Sequence, residues 1–442
     1  MSPTLISKST VIPDRKSTMA DLKLSASDLP MLSCHYIQKG CLFHIPKPQS
    51  LIIIPLLKRA LARTLTHFPP LAGRLYTDSH GYVYVACNDA GAEFHHSEAS
   101  NVSVRDVLFP KCVPEFWIKQ FFAMDGDVSY EGHVKPILAV QVTELRDGIF
   151  IGCTVNHAVV DGTSFWNFFN TFAEICKGAK AISRTPDFSR DSVLISPAIL
   201  QIPVGGPKVT FDVHAPVRER IFSFSREAIS KLKAQVNRKD DVVCEEISSF
   251  QALSALLWKS VTKARNFPST KTTTFRMAVN VRHRLTPQLN ALYFGNAIQS
   301  IPTYLTTGDV VSRDLRWIAE QLSKNVKAHD DRRVRQSVKE WEANPRCFPL
   351  GNFDGGMVTM GSSPRFPMYD NDFGWGMPVA VRSGKANKFD GKISAFPGRY
   401  GGGSVDLEVV LKPETMAIVE GDVEFMEFVT VGQGECWAAV GP

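Results

Sequence analysis

The spacing of hydrophobic residues predicts both a helix and a hairpin in the N-terminal part of the chain. Apolar side chains recur every three or four positions over residues 55–67, which predicts a helix with Pro55 in its first turn. Residues 137–145 and 149–155 are rich in β-branched residues and are separated by Arg-Asp-Gly at 146–148, a pattern typical of a β-hairpin. The second strand would end directly before His157.

Aromatic residues recur at helical spacing after Gly162 and predict a helix that ends near Lys177 and Gly178. A stripe of this kind is typical of a helix face that packs in a hydrophobic core. Phe165 lies nearest the preceding loop, and it is the one member of the stripe that we expect to touch a substrate. The stripe consists of Phe165, Phe168, Phe169, Phe172 and Ile175.

The C-terminal half also contains patterns typical of strands and helices. Residues 219–224 predict a strand, and Ser225 is placed to cap the amphipathic helix that follows. Ser249 is placed to cap a second helix, and apolar positions spaced from Val311 to Val326 predict a third, longer one.

The region between the two halves lacks sustained periodicity. Residues 181–207 mix Pro, Ser, Arg and Gly, which is typical of a linker. The total of 442 residues suits two domains of about 200 residues each. We therefore predict an N-terminal domain over 1–180, a crossover linker over 181–207 and a C-terminal domain over 208–442.

Composition narrows the class of protein. The chain is 44% hydrophobic and 21% charged, and its net charge of +6 is spread without a long cationic run, so no nucleic-acid partner is indicated. No apolar run is long enough to span a membrane, and no secretory signal precedes the first motif. Nine cysteines at irregular spacings fit reduced thiols, so we expect a cytoplasmic protein.

Two distant motifs carry the candidate chemistry. Residues 157–162 read His-Ala-Val-Val-Asp-Gly, and residues 372–376 read Asp-Phe-Gly-Trp-Gly. A His four positions before an Asp is common by chance, whereas a fixed pentapeptide that contains Trp is rare. Further blocks stand at 27–30 (SDLP), 67–75 (HFPPLAGRL), 282–285 (RHRL), 293–296 (YFGN) and 401–404 (GGGS), the last followed by Asp406 and Glu408.

Together, and in this order, these blocks resemble the plant BAHD acyltransferases, which move an acyl group from a coenzyme A thioester to an alcohol or amine. The resemblance runs nearly end to end and looks closest to an acetyltransferase-like branch of the family. It implies an α/β, two-domain chloramphenicol acetyltransferase-like fold with mixed sheets and a solvent channel between the domains. His157 would lie in mid-channel, and the protein would be a monomer.

The resemblance also implies the reaction. A thiolate is a good leaving group, so acyl transfer from a thioester mainly needs a deprotonated acceptor, and a neutral imidazole can take that proton near pH 7. His157 occupies the position of the family's general base in a direct ternary-complex transfer. Acyl-CoA would be a co-substrate, with no permanently bound cofactor. The histidines show no metal-ligand spacing, so we predict no metal.

Asp161 belongs to the same motif, but a carboxylate four residues after the His on a tight loop need not face the imidazole. The resemblance implies that it pairs with an arginine and braces the loop. Arg282 and Arg284 are the candidates, and we favour Arg282.

The pentapeptide has a structural and a chemical interpretation. Asp372, Gly374 and Gly376 are interpreted as structural, with glycine suited to positive φ angles. Trp375 is either a packing residue or a donor to the oxyanion, since an indole N–H can donate a hydrogen bond.

The remaining candidates would bind substrates. Arg365 stands seven positions before Asp372, where shikimate- and quinate-using relatives carry an Arg that grips a carboxylate; the alternative is an ordinary surface arginine. Tyr36 lies in the segment that lines the family's acceptor pocket. The coenzyme A candidates are Ser249 and a basic cluster made of Arg382, Lys385, Lys388 and Lys392.

Two other functions remain open at this point. A protein with this scaffold could act as a lyase or cyclase on a carboxylate-bearing metabolite without coenzyme A, or it could be an inactive scaffold that binds a small molecule. The intact His157 argues against both alternatives.

Overall fold

Two mixed six-stranded sheets, each covered by helices, form the computed structural model of the chain. The structure describes residues 2–45, 50–108, 118–190, 192–238 and 246–430. A small third sheet of three strands lies in the N-terminal half.

The N-terminal half supplies eight strands and three helices among its described residues. In chain order they are β1 (Thr4–Val11), β2 (Leu22–Lys23), β3 (Ile37–His44), α1 (Ser50–His67), β4 (Arg74–Thr77), β5 (Val83–Ala86), β6 (Ala92–Ala99), α2 (Val104–Leu108), β7 (Leu138–Leu145), β8 (Gly148–Val155) and α3 (Gly162–Cys176).

The C-terminal half continues the series over the residues that the structure describes there. Its elements are β9 (Arg218–Phe224), α4 (Arg226–Val236), α5 (Ser249–Arg265), β10 (Thr272–Asn280), β11 (Ile298–Thr306), α6 (Thr307–Ser312), α7 (Leu315–Ala328), α8 (Asp331–Ala343), β12 (Met357–Gly361), β13 (Ala380–Ser383), β14 (Lys392–Pro397), β15 (Val405–Leu411), α9 (Pro413–Gly421) and α10 (Val423–Met426).

The first sheet has the order β1-β6-β7-β8-β3-β13, with β6 and β7 parallel and the other pairs antiparallel. The predicted hairpin is present as β7 and β8, whose Leu145 and Gly148 face each other across a tight turn. The edge strand β13 comes from the C-terminal half of the chain and pairs with β3. The two halves are therefore linked by a shared sheet as well as by side-chain contacts.

The second sheet has the order β11-β10-β12-β14-β15-β9 and is also mixed, since β12 runs parallel to both β10 and β14. Its outer face packs against helices that include α4, α5, α7 and α9. The predicted α/β class with mixed sheets is confirmed.

Helices α1 and α3 pack on the first sheet. The aromatic stripe of α3 is buried there, and Phe68, directly after α1, meets Phe168 edge to face at 5.5 Å between ring centroids. Asp161 precedes α3 and accepts a hydrogen bond from the Ser164 backbone N–H, which caps the helix at the point where the candidate site begins.

Two helix predictions need correction. The first helix begins at Ser50, and Pro55 lies inside it rather than in its first turn, because Ile53 and Ile54 pack in the first core and stabilise the turn before the proline. The predicted long helix over 311–326 is two helices, α6 and α7. Asp314 separates them by accepting the Trp317 N–H at 2.8 Å as the cap of α7.

The predicted linker over 181–207 contains no helix or strand in the part that the structure describes. The boundaries of the two domains remain a prediction, since β13 belongs to the first sheet although it lies within 208–442. None of the described helices combines the length and apolar composition that a membrane span requires.

Helix α5 starts one residue earlier than the predicted cap implies. Ser248, not Ser249, accepts the Gln251 N–H at 3.3 Å, and the Gln251 side chain accepts the Ser248 N–H at 3.0 Å, so the two residues form a capping box.

Ser248→Ala is expected to lower the free energy of unfolding by about 1 kcal/mol, because it leaves helix N–H groups without a partner. Ser249→Ala should have a clearly smaller effect. Urea denaturation of both variants checks this, and equal losses would contradict the assignment of the cap.

Candidate active site

His157 lies in a short turn between β8 and α3. The turn is held by Asn156, whose side chain accepts the Ala158 N–H at 3.0 Å and donates to the Ser129 carbonyl at 2.7 Å. The Ser129 hydroxyl accepts the His157 N–H at 3.1 Å. The backbone under the imidazole is therefore fixed by neighbours that are themselves buried.

The imidazole of His157 is oriented for use as a base. Its Nδ1 lies 3.2 Å from the Val160 carbonyl oxygen, which can only accept, so Nδ1 carries the proton and Nε2 keeps a free lone pair. Burial lowers the pKa of His157 below its usual 6.5; hydrogen bonding and Asp161 oppose this shift, and the charge of Lys392 adds to it. Because its pKa is lowered, the imidazole is neutral near pH 7. The residue is only half-buried, so a substrate can reach it.

Asp161 faces away from the imidazole and into a fully buried ion pair. Arg282 donates to both of its carboxylate oxygens, at 2.6 and 3.1 Å, and both side chains are 0% exposed. The Ala297 N–H donates to Asp161 at 3.1 Å. Arg284 instead donates to the backbone carbonyls of Val326 and His329. Of the two candidate arginines, Arg282 is the one that contacts Asp161.

Arg282 also ties this turn to the 293–296 block. Its Nη2 donates to the carbonyl oxygens of Tyr293 at 2.9 Å and Gly295 at 3.1 Å. The guanidinium therefore connects the start of α3 to the segment before β11, which belongs to the other half of the chain.

Asn296 completes the support of His157. Its side-chain amide donates to the His157 carbonyl at 2.8 Å and to Asp28 at 2.9 Å, and its backbone N–H donates to Asp28 at 2.7 Å. Sequence reasoning noted the blocks at 27–30 and 293–296 without assigning Asp28 or Asn296 a role. Buried polar side chains of this kind usually form hydrogen bonds, but only the fold shows that these two residues support the backbone of His157.

The 372–376 block forms a turn at the opposite end of α3. Asp372 accepts the N–H groups of Gly374 at 2.8 Å and Gly376 at 3.0 Å, and it pairs with Lys177 just after the helix. Gly374 and Gly376 have φ angles of 104° and 89°, a region that disfavours other residues. This geometry accounts for Asp372 and both glycines as structural residues.

Trp375 does not reach the catalytic turn, so its proposed oxyanion contact is corrected. It packs against the rings of Phe43 and Phe373, each at 5.8 Å between centroids. Phe43 pairs with Ile149, whereas His157 follows the other end of β8, where Val155 pairs with Ile37. Six residues of strand separate these ends by about 20 Å.

Two predicted substrate contacts are also wrong. Tyr36 is 1% exposed and donates its hydroxyl to the Pro136 carbonyl at 3.0 Å, so its polar group is already used inside the protein. Phe165 is likewise buried and packs edge to face on Trp166 and Phe169. Tyr36 is buried in the segment just before β3, and Phe165 lies on the face of α3 that packs in the first core.

Two members of the basic cluster proposed for coenzyme A, Arg382 and Lys388, have buried side chains. Arg382 is 6% exposed and donates to the carbonyls of Val107, Leu108 and Val381, which places its side chain between α2 and β13, the edge strand of the first sheet. Lys388 is buried between Glu219 and Glu408. These two residues cannot meet a phosphate.

Of the other coenzyme A candidates, Lys385 is exposed and Ser249 is half-buried at the start of α5. Lys392 is half-buried at the start of β14. No group of three or more His, Cys, Asp or Glu side chains in the described ranges is arranged to hold a metal ion.

Arg365 is exposed near the catalytic turn. The following residue, Phe366, lies over Gly162 so closely that a Cβ there would meet the ring at 2.6 Å. Since Gly162 begins α3 directly after Asp161, this contact brings Arg365 to the same end of the helix as His157.

Asp161→Ala is expected to lower the free energy of unfolding by about 3–5 kcal/mol, because it leaves the buried Arg282 charge without its partner. Lys177→Met removes the exposed partner of Asp372 and should cost under about 1 kcal/mol. Chemical denaturation measures both. An Asp161→Ala variant with wild-type stability but no activity would place this carboxylate in the chemistry instead.

Comparison with known proteins shows the family to which the chain belongs. The profile of the Transferase family matches residues 1–426. An uncharacterised acetyltransferase of Arabidopsis thaliana is 34% identical over 96% of this chain and 98% of its own length. The BAHD acyltransferase DCR of the same plant is 33% identical over 91% of this chain and 88% of its own.

Solved structures share the fold at lower identity. Vinorine synthase superposes with a TM-score of 0.78 over 97% of this chain and 98% of its own, at 22% identity. F. sporotrichioides TRI101, in complex with coenzyme A and T-2, gives 0.78 over 93% and 99%, at 18% identity. The resemblance predicted from the motifs is confirmed: the chain belongs to the Transferase family, whose plant members include the BAHD acyltransferases.

Proposed function

We propose that the protein transfers an acyl group from a coenzyme A thioester to the hydroxyl or amine of a small plant metabolite, with His157 as the general base. The observation that carries this proposal is the His157 imidazole itself. Its Nδ1 is held by the Val160 carbonyl, its backbone is held by Ser129 and Asn296, and its Nε2 is left to accept a proton. Membership of the family and the acyltransferase relatives support it.

The transfer needs one proton carrier and no covalent enzyme intermediate. His157 Nε2 takes the proton of the acceptor as its oxygen or nitrogen attacks the thioester carbonyl. The carbon–sulfur bond then breaks, and the imidazolium returns the proton to the departing coenzyme A sulfur. Holding both substrates beside one imidazole supplies much of the acceleration, as expected for a direct transfer between two bound substrates.

The fold supports coenzyme A as the co-substrate. TRI101, which shares the fold, is known in complex with coenzyme A and T-2. We place acyl-CoA and a small acceptor between the two sheets of this chain, where His157 lies. We also propose a cytoplasmic monomer, in keeping with the free thiols of the six cysteines in the described ranges.

A mass-spectrometric assay with a panel of acyl-CoA donors and pooled plant alcohols, amines and hydroxy acids tests the function. A product heavier by one acyl group, together with free coenzyme A, is expected. His157→Ala should lower the rate by roughly 10²–10⁴-fold, and His214→Ala, which removes an exposed histidine, should not. Consumption of a carboxylate metabolite without any thioester would indicate a lyase instead.

The pH dependence follows from the lowered pKa of His157. The base works only when neutral, and its pKa is lowered below 6.5, so kcat/KM should show no acid-side loss at pH 7 and above. It should fall as pH drops through the lowered pKa, with one proton taken up. A fall that begins above pH 7 would contradict the burial of this imidazole.

Arg365 is proposed to bind a carboxylate of the acceptor at the start of α3. Arg365→Ala should raise KM roughly tenfold or more for an acceptor that carries a carboxylate and leave KM unchanged for its methyl ester. Arg332→Ala, on the exposed face of α8, is the matched control. An equal change in KM for the acid and the ester would show that Arg365 does not bind the carboxylate.

A further inference from the structure

The inner face of the second sheet is polar, although it is enclosed. In β14, Ile393 and Ala395 point into the second core, so the alternation of the strand turns Lys392, Ser394 and Phe396 toward the first half. Glu408 of β15 pairs with Ser394 in the register and lies on the same inner face. A buried strand face with this many polar groups is unusual for a sheet covered on both sides.

Lys392 is the first residue of β14. It pairs with Thr359 on one side and Val410 on the other. Its Nζ lies against Gly361, where a Cβ would approach it to 2.4 Å. Gly361 begins the segment that leads to Phe366, whose ring lies over Gly162 directly after the catalytic turn. The charge of Lys392 also lowers the pKa of His157.

Of the other buried lysines near Lys392, two lie beside carboxylates and one lies over an aromatic ring. Lys388 contacts both Glu219 and Glu408, and Lys119 lies 3.9 Å from Glu219. Lys39, on the facing strand β3, places its Nζ 4.6 Å from the centre of the Phe396 ring. Lysines therefore outnumber the two carboxylates of this region.

Lys392 itself forms no ion pair with any carboxylate of the described ranges, although the charge of Glu408, which already contacts Lys388, raises its pKa. Cys34 is close to it, but burial raises the pKa of that thiol to about 12, so it offers no negative charge at neutral pH. Burial lowers the pKa of Lys392 to about 8, which leaves the amine mostly charged at pH 7. Burying an ammonium group without an ion-pair partner lowers the stability of the fold. A protein can retain such a group where the anion of a ligand pairs with it.

We propose that Lys392 binds a carboxylate of the substrate in the space between the two sheets, beside His157. The inference rests on the proposed acyl transfer and narrows its substrates to those with a negative charge near the reacting carbonyl. The carboxylate comes either from a dicarboxylic acyl group on coenzyme A or from the acceptor. Because Lys392 is half-buried, a bound substrate can reach it.

Stability separates a ligand-binding lysine from a structural one. Lys388→Met breaks the contacts with Glu219 and Glu408 and should lower the melting temperature by several degrees. Lys392→Met removes a charge that has no partner, so the melting temperature should stay the same or rise. Lys324→Met, on the exposed side of α7, sets the baseline. A loss in Lys392→Met as large as that in Lys388→Met would overturn the proposal.

Binding then tests the ligand and its source. Calorimetry on the full chain compares malonyl-CoA with acetyl-CoA in the donor arm, and mandelate with methyl mandelate in the acceptor arm. Wild type should prefer the charged member of one pair roughly 10- to 100-fold, and Lys392→Met should lose that preference while Lys324→Met keeps it. The arm that responds identifies the source of the carboxylate.

Equal affinity for the charged and neutral members of both pairs in wild type would overturn the proposal, as would a preference that Lys392→Met retains. Failure of the proposed function looks different. A preference that depends on Lys392, without any transfer from the thioester in the mass-spectrometric assay, would keep the carboxylate site and reject the acyl transfer.

Discussion

The buried ion pair between Asp161 and Arg282 is the constraint on which the candidate site depends. Burying two charges is costly unless they are paired and hydrogen-bonded, and here Asp161 accepts from Arg282, Ser164 and Ala297, while Arg282 keeps only its Nε without a partner. The bond to Ser164 holds Asp161 at the start of α3, the bond to Ala297 holds it against the segment before β11, and the pair with Arg282 joins the two. The turn that carries His157 is therefore fixed at its C-terminal end, which helps to orient the imidazole.

A second constraint comes from the way the two halves share structure. Strand β13 leaves the C-terminal half to pair with β3, and Arg382 within it donates to carbonyl groups of α2. Lys388, in the segment between β13 and β14, contacts Glu219 of β9 and Glu408 of β15. The inner faces of the two sheets are thereby held together around the space in which we place the reaction.

Local features of this protein could be predicted from sequence because they depend on neighbours along the chain. The hairpin of β7 and β8, the aromatic stripe of α3 and the Ser225 cap are all written in short segments. The resemblance supplied His157 and the arginine partner of Asp161. What sequence could not show depends on pairing between distant segments. The burial of Arg382 depends on the pairing of β13 with β3, and that of Lys388 on its contacts with Glu219 and Glu408. The local sequence of the basic cluster shows none of these contacts. The 372–376 motif alone allows Trp375 to be interpreted as a hydrogen-bond donor. Only the fold shows that α3 separates it from His157.

The most direct test of the account is a crystal structure of the protein with coenzyme A bound. The sulfur is expected to lie between the two sheets, within about 4 Å of His157 Nε2, as proton transfer to the departing thiolate requires. Trp375 is expected to stay packed on Phe373, far from the sulfur. A complex in which the sulfur lies beside Trp375, at the other end of α3, would contradict the assignment of His157 as the base.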